Sequence, residues 1–383
     1  MKILIAGDTV PTESNKKLFV DGDIKKIFGD GIISVFNDSD FRILNLETPL
    51  TNLETPIKKL GPNLLAQKET INGIKLLNPT LLSLANNHIM DQGTEGYHST
   101  LNCLEKNKIN FIGIGENLND IKKFKILEKN NLRIGIYSFT ENEFTVATKT
   151  QPGANPLDLF NTFDHIKDLK KDCDHVIVLY HGGKEHYRYP TPFQMKVSRK
   201  LVESGADVVI CQHSHAIGCY ERYQNSSIVY GQGNFIFDYT NSSVWLTGLL
   251  IEIEFLSKYQ HNLRFIPIEK RGNLVRLAEK ESSINIISEF NKRSDEIKNE
   301  SFVEEKFSEL VSSKLVSDYY LFSLTGLGKW FARIDRFLFK GKLIDKWYSE
   351  TAYLKILNYI ECETHLETLK KIVNLKLKDK EER

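Results

Sequence analysis

The sequence predicts an α/β fold followed by a helical C-terminal appendage, and two observations carry that prediction. Across roughly the first 255 residues, short apolar runs alternate with segments of helical periodicity, the pattern of buried sheets flanked by helices. From about residue 275 the chain becomes charged, helical in pattern and nearly free of Gly and Pro. The expected division is a domain over residues 1–270 and a helical region over residues 275–383, both within the size of a folding unit.

The elements follow in order. KILIAG, FRILNLE, LLSLANN, NFIGIG and RIGIYSF read as strands, as do HVIVLYHG, DVVICQHSH, SIVYGQGNFIF and GLLIEIEF. They are rich in Ile, Val, Leu, Phe and Tyr and run into Gly, Asn or Asp. Between them, EGYHSTLNCLEKNK and PFQMKVSRKLVESG place apolar residues at helical spacing, with Gly205 as a stop signal for the second. The segment from Ser283 to Tyr320 is helical in pattern, and ECETHLETLKKIVNLKLKDKEER closes the chain as a helix with a polar, frayed end.

Composition excludes several classes. With 41% apolar and 26% charged residues the chain is globular. A net charge of +1 argues against a broad nucleic-acid-binding surface. Cys103, Cys173, Cys211, Cys219 and Cys362 are odd in number and irregular in spacing, which fits reduced thiols better than a disulfide framework. Cys211 and Cys219 flank a His-x-His and are candidate soft ligands, with core packing as the alternative. The start MKILIAGDTV holds too short an apolar run for a signal peptide. No run of 18 apolar residues is present. A cytoplasmic location is expected, or a peripheral one at the inner membrane face.

The chemistry concentrates at strand ends. ILIAGD ends on Asp8 and ILNLE on Glu47. LSLANNH ends on Asn86, Asn87 and His88, with Asp91 one turn later. VIVLYH ends on His181, and VVICQHSH on His213 and His215. In α/β sheets the ligand crevice lies outside the carboxyl ends of the strands. Singly, each residue has a bland reading: Asp8 as a turn residue, Asn86 and Asn87 as an αL pair, His181 as a satisfied core histidine. Together they form a ligand set of oxygen and imidazole donors without thiolate. That set suits Mn²⁺, Zn²⁺ or Fe, as one ion or two, and a carboxylate such as Glu47 can bridge two cations.

These segments carry a resemblance. GD (Gly7, Asp8), NLE (Asn45–Glu47), LANNHIMDQG (Leu84–Gly93), HGGKEHY (His181–Tyr187), SGADVVICQHSH (Ser204–His215) and YGQGNFIFD (Tyr230–Asp238) occur in this order. The chain resembles the CapA family of bacterial capsule synthesis, named for poly-γ-glutamate capsules, within the calcineurin-like metallophosphoesterase superfamily. The resemblance covers residues 1 to about 255 and leaves the helical tail outside. It implies an α/β/β/α four-layer sandwich. It also implies roles: Asp8 and His215 on a first metal, Glu47 bridging, and Asn87, His181 and His213 on a second. His88 would assist the leaving group, with Asp91 orienting it. Asn45, Asn86, Glu185 and Asn234 would stand around the ligands, where second partners fix imidazoles.

Three departures from the superfamily pattern stand out. Val10 occupies the place of a histidine that usually serves the first metal. Gly182 stands where the family often has Trp, which is expected to open space. Gln212 and Ser214 replace the more usual Gly and Pro.

Outside these motifs, Arg188 is a candidate for binding a substrate carboxylate or phosphate, with a solvated loop arginine as the alternative; Lys184 is similar. The loop KKLGPN (Lys58–Asn63) could rim the cleft, but a plain surface loop is the simpler expectation. The stretch Leu321–Tyr348 interleaves aromatic with basic residues. Such a stretch can lie in a membrane interface or dock on a partner, but packing on the first domain with a solvated basic face is the expectation.

The functional expectation is a metal-dependent hydrolase with a phosphoesterase-like centre, acting in bacterial capsule or surface-polymer biosynthesis. Its substrate would be a phosphoester or anionic polymer, with amide hydrolysis of a γ-linked peptide as a variant. Capsule-synthesis machinery at the membrane is the implied partner, and nucleic acid is not expected. The competing reading is a non-catalytic assembly, export or polymer-binding component that retains the fold. Val10 favours that reading, and His88 with Asp91 opposes it.

Overall fold

The computed structural model describes residues 1–237, 242, 244–324, 326 and 328–381; Asp238, the last residue of the YGQGNFIFD motif, lies outside the described residues. The chain divides into two compact units, Met1–Glu304 and Glu305–Arg383.

In chain order the first strands are β1 (Lys2–Thr9), β2 (Phe41–Leu46), β3 (Leu81–Ser83), β4 (Phe111–Ile112), β5 (Ile114–Gly115), β6 (Phe124–Lys129), β7 (Leu132–Thr140) and β8 (Gly153–Ala154). They continue with β9 (His175–His181), β10 (Val208–Gln212), β11 (Ile217–Tyr223), β12 (Ser226–Gln232), β13 (Asn234–Ile236), β14 (Thr247–Phe255), β15 (His261–Arg271) and β16 (Leu274–Leu277). One sheet runs β16-β15-β14-β1-β2-β3-β4, with β13 paired to the end of β1. The second runs β11-β12-β10-β9-β7-β6. β1 to β4 are mutually parallel, as are β7, β9, β10 and β12. The edge strands β6 and β11 are antiparallel to their neighbours. β5 and β8 form a small separate pair.

Side-chain alternation shows the layers. On β1, Ile3 and Ile5 enter one apolar core while Leu4 and Ala6 enter another, the period of two that a strand imposes. Ile3 and Ile5 share their core with Ile177 and Leu179 of β9 and with Val208 and Ile210 of β10, so this core lies between the sheets. Leu4 and Ala6 instead meet the helices α1 (Lys16–Asp21), α2 (Ile24–Ile27), α3 (Asp30–Asn37), α4 (Ile71–Lys75) and α5 (Gly93–Lys106). On the far side, Val176, Val178 and Tyr180 of β9 pack on α6 (Thr162–Asp172) and α7 (Pro192–Glu203). The result is helices, sheet, sheet and helices: an α/β/β/α sandwich.

The first unit extends beyond the domain of residues 1–270 expected from the sequence because the helix α8 (Lys280–Glu296) is built into it. Phe290 enters the inter-sheet core, and the buried Arg293 donates to the carbonyl of Gly218 at 2.9 Å. α9 (Glu300–Ser312) contains the division. The second unit holds α10 (Lys314–Leu324), α11 (Gly328–Ile334), a π-helical turn (Asp335–Phe339), α12 (Lys342–Trp347), α13 (Glu350–Glu361) and α14 (Glu363–Glu381). Its own small core joins Phe322, Ala332, Ile344 and Tyr348.

Candidate metal centre

The parallel strands deliver their ligand-type residues to one place. β1 ends at Asp8 and β2 leads to Glu47; β3 leads to Asn86, Asn87 and His88. From the second sheet, β9 ends at His181, and β10 leads to His213 and His215. Asp8, Glu47, His181, His213 and His215 are all buried. Donor atoms of Glu47, His213 and His215 lie within 4.8 Å of one another. The His181 and His213 rings are 4.8 Å apart, and those of His213 and His215 5.9 Å.

Backbone constraints set the approach. A Cβ at Gly7 would lie 2.3 Å from the carbonyl oxygen of Gly233, so only glycine lets β1 run against that turn and place Asp8 beside Asn234. His213 and His215 both adopt positive φ, 88° and 53°. That conformation is uncommon outside glycine and is held only where surrounding structure enforces it.

Asp8 is tied at both oxygens. Oδ1 accepts from Asn45 Nδ2 at 2.7 Å, and Oδ2 from the His213 backbone N–H at 3.3 Å. His215 Nδ1 stands 3.3 Å from Oδ2. Burial opposes ionisation of Asp8, but His215, His181 and Asn45 outweigh it and hold the carboxyl below its usual range. Burial also works against the His215 cation, yet Glu47, Asp8 and Asn234 raise its pKa to about 9. His213 goes the other way: burial and the neighbouring imidazoles push it well below the usual value. It is therefore neutral, the form a cation requires.

Several of the remaining residues expected around the ligands do stand there. Asn234 Oδ1 lies 2.9 Å from His215 Nδ1, which orients that ring as outer partners do in metal sites. Asn87 Oδ1 lies 3.0 Å from His181 Nε2, and Asn45 Nδ2 lies 3.2 Å from His181 Nδ1. Asn86 Nδ2 bridges to the Leu46 carbonyl at 2.8 Å and to Asn45 Oδ1 at 3.2 Å. His88 Nδ1 is 2.6 Å from Asp91 Oδ2, which leaves Nε2 as the ring atom that can reach a substrate.

Glu185 and Arg188 are placed otherwise. The turn through Gly183 and His186, both at positive φ, carries Glu185 to an exposed position, where it holds none of the histidines. Arg188 directs Nη1 to the carbonyl of Ile217 at 3.4 Å, the same oxygen that Arg293 approaches at 3.3 Å. It is part of the seat of α8. Cys211 and Cys219 lie in the helix-side core of the second sheet, so neither serves as a soft ligand. Gly182 opens no space: a Cβ there would lie 2.5 Å from both Glu141 Cγ and Tyr180 Cε2. Val10 is buried with Phe237 and Trp245, against Leu64.

Two residues of the centre were not singled out in the sequence. Trp245 stacks on His215, with centroids 4.3 Å apart and planes at 23°. Lys59, from the KKLGPN loop, places Nζ 3.3 Å from His88 Nδ1 and 3.4 Å from the Asn87 carbonyl, and it donates to Asp91 Oδ1. The local signal for Lys59 was a loop of two Lys followed by Gly-Pro, which looks like any solvated turn.

Glu47 carries the sharpest test of fit to a cation. Its Oε1 is 3.3 Å from His181 Nε2, but neither carboxylate oxygen has an aligned hydrogen-bond donor, and His213 Nδ1 likewise has no hydrogen-bond partner. A buried carboxylate without donors is costly. A divalent cation meets the need of both groups, and this oxygen and imidazole set fits one.

A family model described as bacterial capsule synthesis protein PGA_cap matches residues 2–239. The chain is 33% identical over 210 residues to the capsule biosynthesis protein CapA of Bacillus anthracis, covering 52% of this chain and 51% of that protein. It is also 33% identical over 210 residues to the PGA biosynthesis protein CapA of Bacillus subtilis (strain 168), covering 53% and 55%. The chain thus spans about half the length of the curated relatives it matches. Among solved structures, the NAD nucleotidase NadN of Haemophilus influenzae aligns with a TM-score of 0.46 at 12% identity, over 77% of this chain and 60% of that one. The calcineurin-like phosphoesterase YfkN from Bacillus subtilis aligns at 0.38 and 11%, over 80% and 98%. Since the family match takes in most of the first unit and every strand end that delivers a candidate ligand, the chain belongs to the bacterial capsule synthesis protein PGA_cap family.

Proposed function

We propose that the chain is a metal-dependent hydrolase that acts on a phosphoester or an anionic surface polymer during capsule biosynthesis. The observation that carries the proposal is the buried, donorless carboxylate of Glu47 beside the neutral His213. In this reading Asp8 and His215 hold one cation, Asn87, His181 and His213 a second, and Glu47 serves both. Bound divalent metal supplies Lewis-acid polarisation and an acidified water. The chain's own residues do the rest. His88, oriented through Nδ1 by Asp91, moves a proton at Nε2 to the leaving group. Asn45 and Asn234 fix the Asp8 carboxylate and the His215 ring. The capsule role is supported by the names of the two Bacillus relatives, and Mn²⁺, Zn²⁺ or Fe is the cation class that the donors support. A γ-linked amide is the substrate variant that the name of the PGA biosynthesis relative supports.

The test is elemental analysis of the full chain purified without chelator, beside a Glu47→Ala, His213→Ala double variant. About one or two transition-metal ions per chain, as in one- or two-metal hydrolases, are expected in the parent and none in the variant. No metal, even after incubation with Mn²⁺ or Zn²⁺, overturns the proposal. The second reading, a non-catalytic assembly or polymer-binding component, is favoured by Val10, whose side chain is committed to the Phe237–Trp245 cluster. Retained metal without hydrolysis of phosphoesters or γ-linked peptides would support that reading.

A further inference from the structure

Asp335 is buried, and its carboxylate accepts the backbone N–H groups of Leu343 at 3.1 Å and Ile344 at 3.4 Å. This clamps the π-helical turn Asp335–Phe339 onto the start of α12. Lys340 and Gly341, both at positive φ, close the bend. The inward side of the bend is filled: Ala332, Ile344 and Tyr348 share the unit's small core, and Phe331 stacks on Trp347 at 5.9 Å and 18°. The outward side is apolar as well. Phe337 is 86% exposed, Leu338 62% and Phe339 45%, and Trp330 and Ile334 lie about two turns and one turn before them at 67% and 43%. Three consecutive large apolar residues on an ordered convex bend, continuous with a helical stripe, exceed the scattered exposure that an ordinary surface carries.

The charge around this bend is one-sided. From Trp330 to Trp347 the sequence has Arg333, Arg336, Lys340, Lys342 and Lys346 against Asp335 and Asp345, a net +3. Asp335 is withdrawn into the clamp, so the exposed surface is more basic than the count. Arg333 lies over the Trp330 ring, 5.2 Å from its centroid. Lysine is depleted from protein–protein interfaces. Lysine and arginine bordering Trp, Phe and Leu are instead the composition of segments that seat in the headgroup layer of an anionic bilayer. Among the described residues no helix is long and apolar enough to cross a membrane, so seating is at the surface.

We propose that the Asp335–Phe339 bend is a membrane-docking element, with Phe337, Leu338 and Phe339 entering the interface of an anionic bilayer and Arg333, Lys340 and Lys342 meeting its headgroups. The proposal is independent of the hydrolase reading. Its test is vesicle flotation of the full chain at low salt. Recovery is expected with phosphatidylglycerol-containing vesicles and not with phosphatidylcholine alone. Recovery falls at about 0.5 M salt, where screening contracts to a few Å. Lys340→Glu with Lys342→Glu should weaken binding roughly tenfold or more, given the attraction of each basic residue to an anionic surface. Phe337→Ser with Leu338→Ser should abolish recovery while the thermal melt stays unchanged, since both side chains are exposed. No flotation with anionic vesicles overturns the proposal, and so does full flotation of the serine variant. Self-association in lipid-free solution that the serine variant abolishes, without flotation of the parent, would overturn it too and make the bend a contact between copies.

Discussion

Lys59 reaches out of an otherwise exposed loop to form a buried ion pair with Asp91; their side chains are 3% and 0% exposed. The same carboxylate receives His88 Nδ1 and the backbone N–H of Leu64, both at 2.6 Å. Asp91 is thus held by three donors from two segments, and the loop is fastened over the histidine. Removing one partner of a buried pair leaves the other charge stranded. Lys59→Met is expected to destabilise the first unit by about 3–5 kcal/mol, read as a lowered urea midpoint. Adding Asp91→Asn should recover part of that loss, because the stranded charge goes too. An unchanged midpoint for Lys59→Met would show that the ammonium is solvated.

The Gly182 position yields a second expectation. A methyl group there meets Glu141 Cγ and Tyr180 Cε2 at 2.5 Å. Glu141 cannot easily yield, since its Oε1 accepts from Tyr180 Oη and from Gly183 N–H, both at 2.9 Å. Gly182→Ala is expected to cost about 1–3 kcal/mol as an overpacking change, seen as a lower melting temperature. Truncating Glu141 to Ala in the same chain should relieve only the Glu141 half of the clash and recover part of the loss, because Tyr180 Cε2 stays at 2.5 Å. If Gly182→Ala melts like the parent, the close contact is absent in solution.

Much of the centre was readable because it obeys a short-range rule. Ligand-type residues at the ends of predicted parallel strands share one edge, and Asp8, Glu47, Asn87, His181, His213 and His215 all follow it. The residues misread are those whose placement depends on distant partners. Lys59 is buried by Asp91, 32 positions away. Glu185 sits inside a ligand motif but is turned outward by the positive φ of Gly183 and His186. The fold shows the same split. Central strands such as β9 are buried on both faces and read as apolar runs, whereas β6 alternates poorly and is mostly exposed. β15 and β16 carry charged residues that pair within β15 and between the two strands, so periodicity alone did not mark them.

His261 offers a pH test away from the metal centre. Burial, then repulsion from His175, lowers its pKa from 6.5 to about 4, with Arg222 and Lys170 adding and Asp207 opposing. The folded value lies below the unfolded one, so between pH 6.5 and 4 the unfolded chain binds the proton that the folded chain refuses. Stability from this group is intact above about pH 6.5 and is lost as pH falls towards 4. His261→Gln should flatten the stability curve across that window when unfolding is followed in urea at a series of pH values. A curve that keeps its slope would assign the acid sensitivity to other groups.

Glu47→Gln separates a cation site from a structural carboxylate by how far each chain responds to added metal. Without metal, Glu47 stands beside the His215 imidazolium that it favours, so Glu47→Gln strands part of that charge and should lower the melting temperature of chelator-treated protein. With Mn²⁺ at about a hundredfold excess over its dissociation constant, the parent should gain about 2.7 kcal/mol by mass action. The variant, short of a charged ligand, should gain much less. The gap between parent and variant would therefore widen from chelator to metal. A parent that is insensitive to added metal, or a Glu47→Gln chain that gains as much from metal as the parent, would mean that the strand ends do not gather around a cation through this carboxylate.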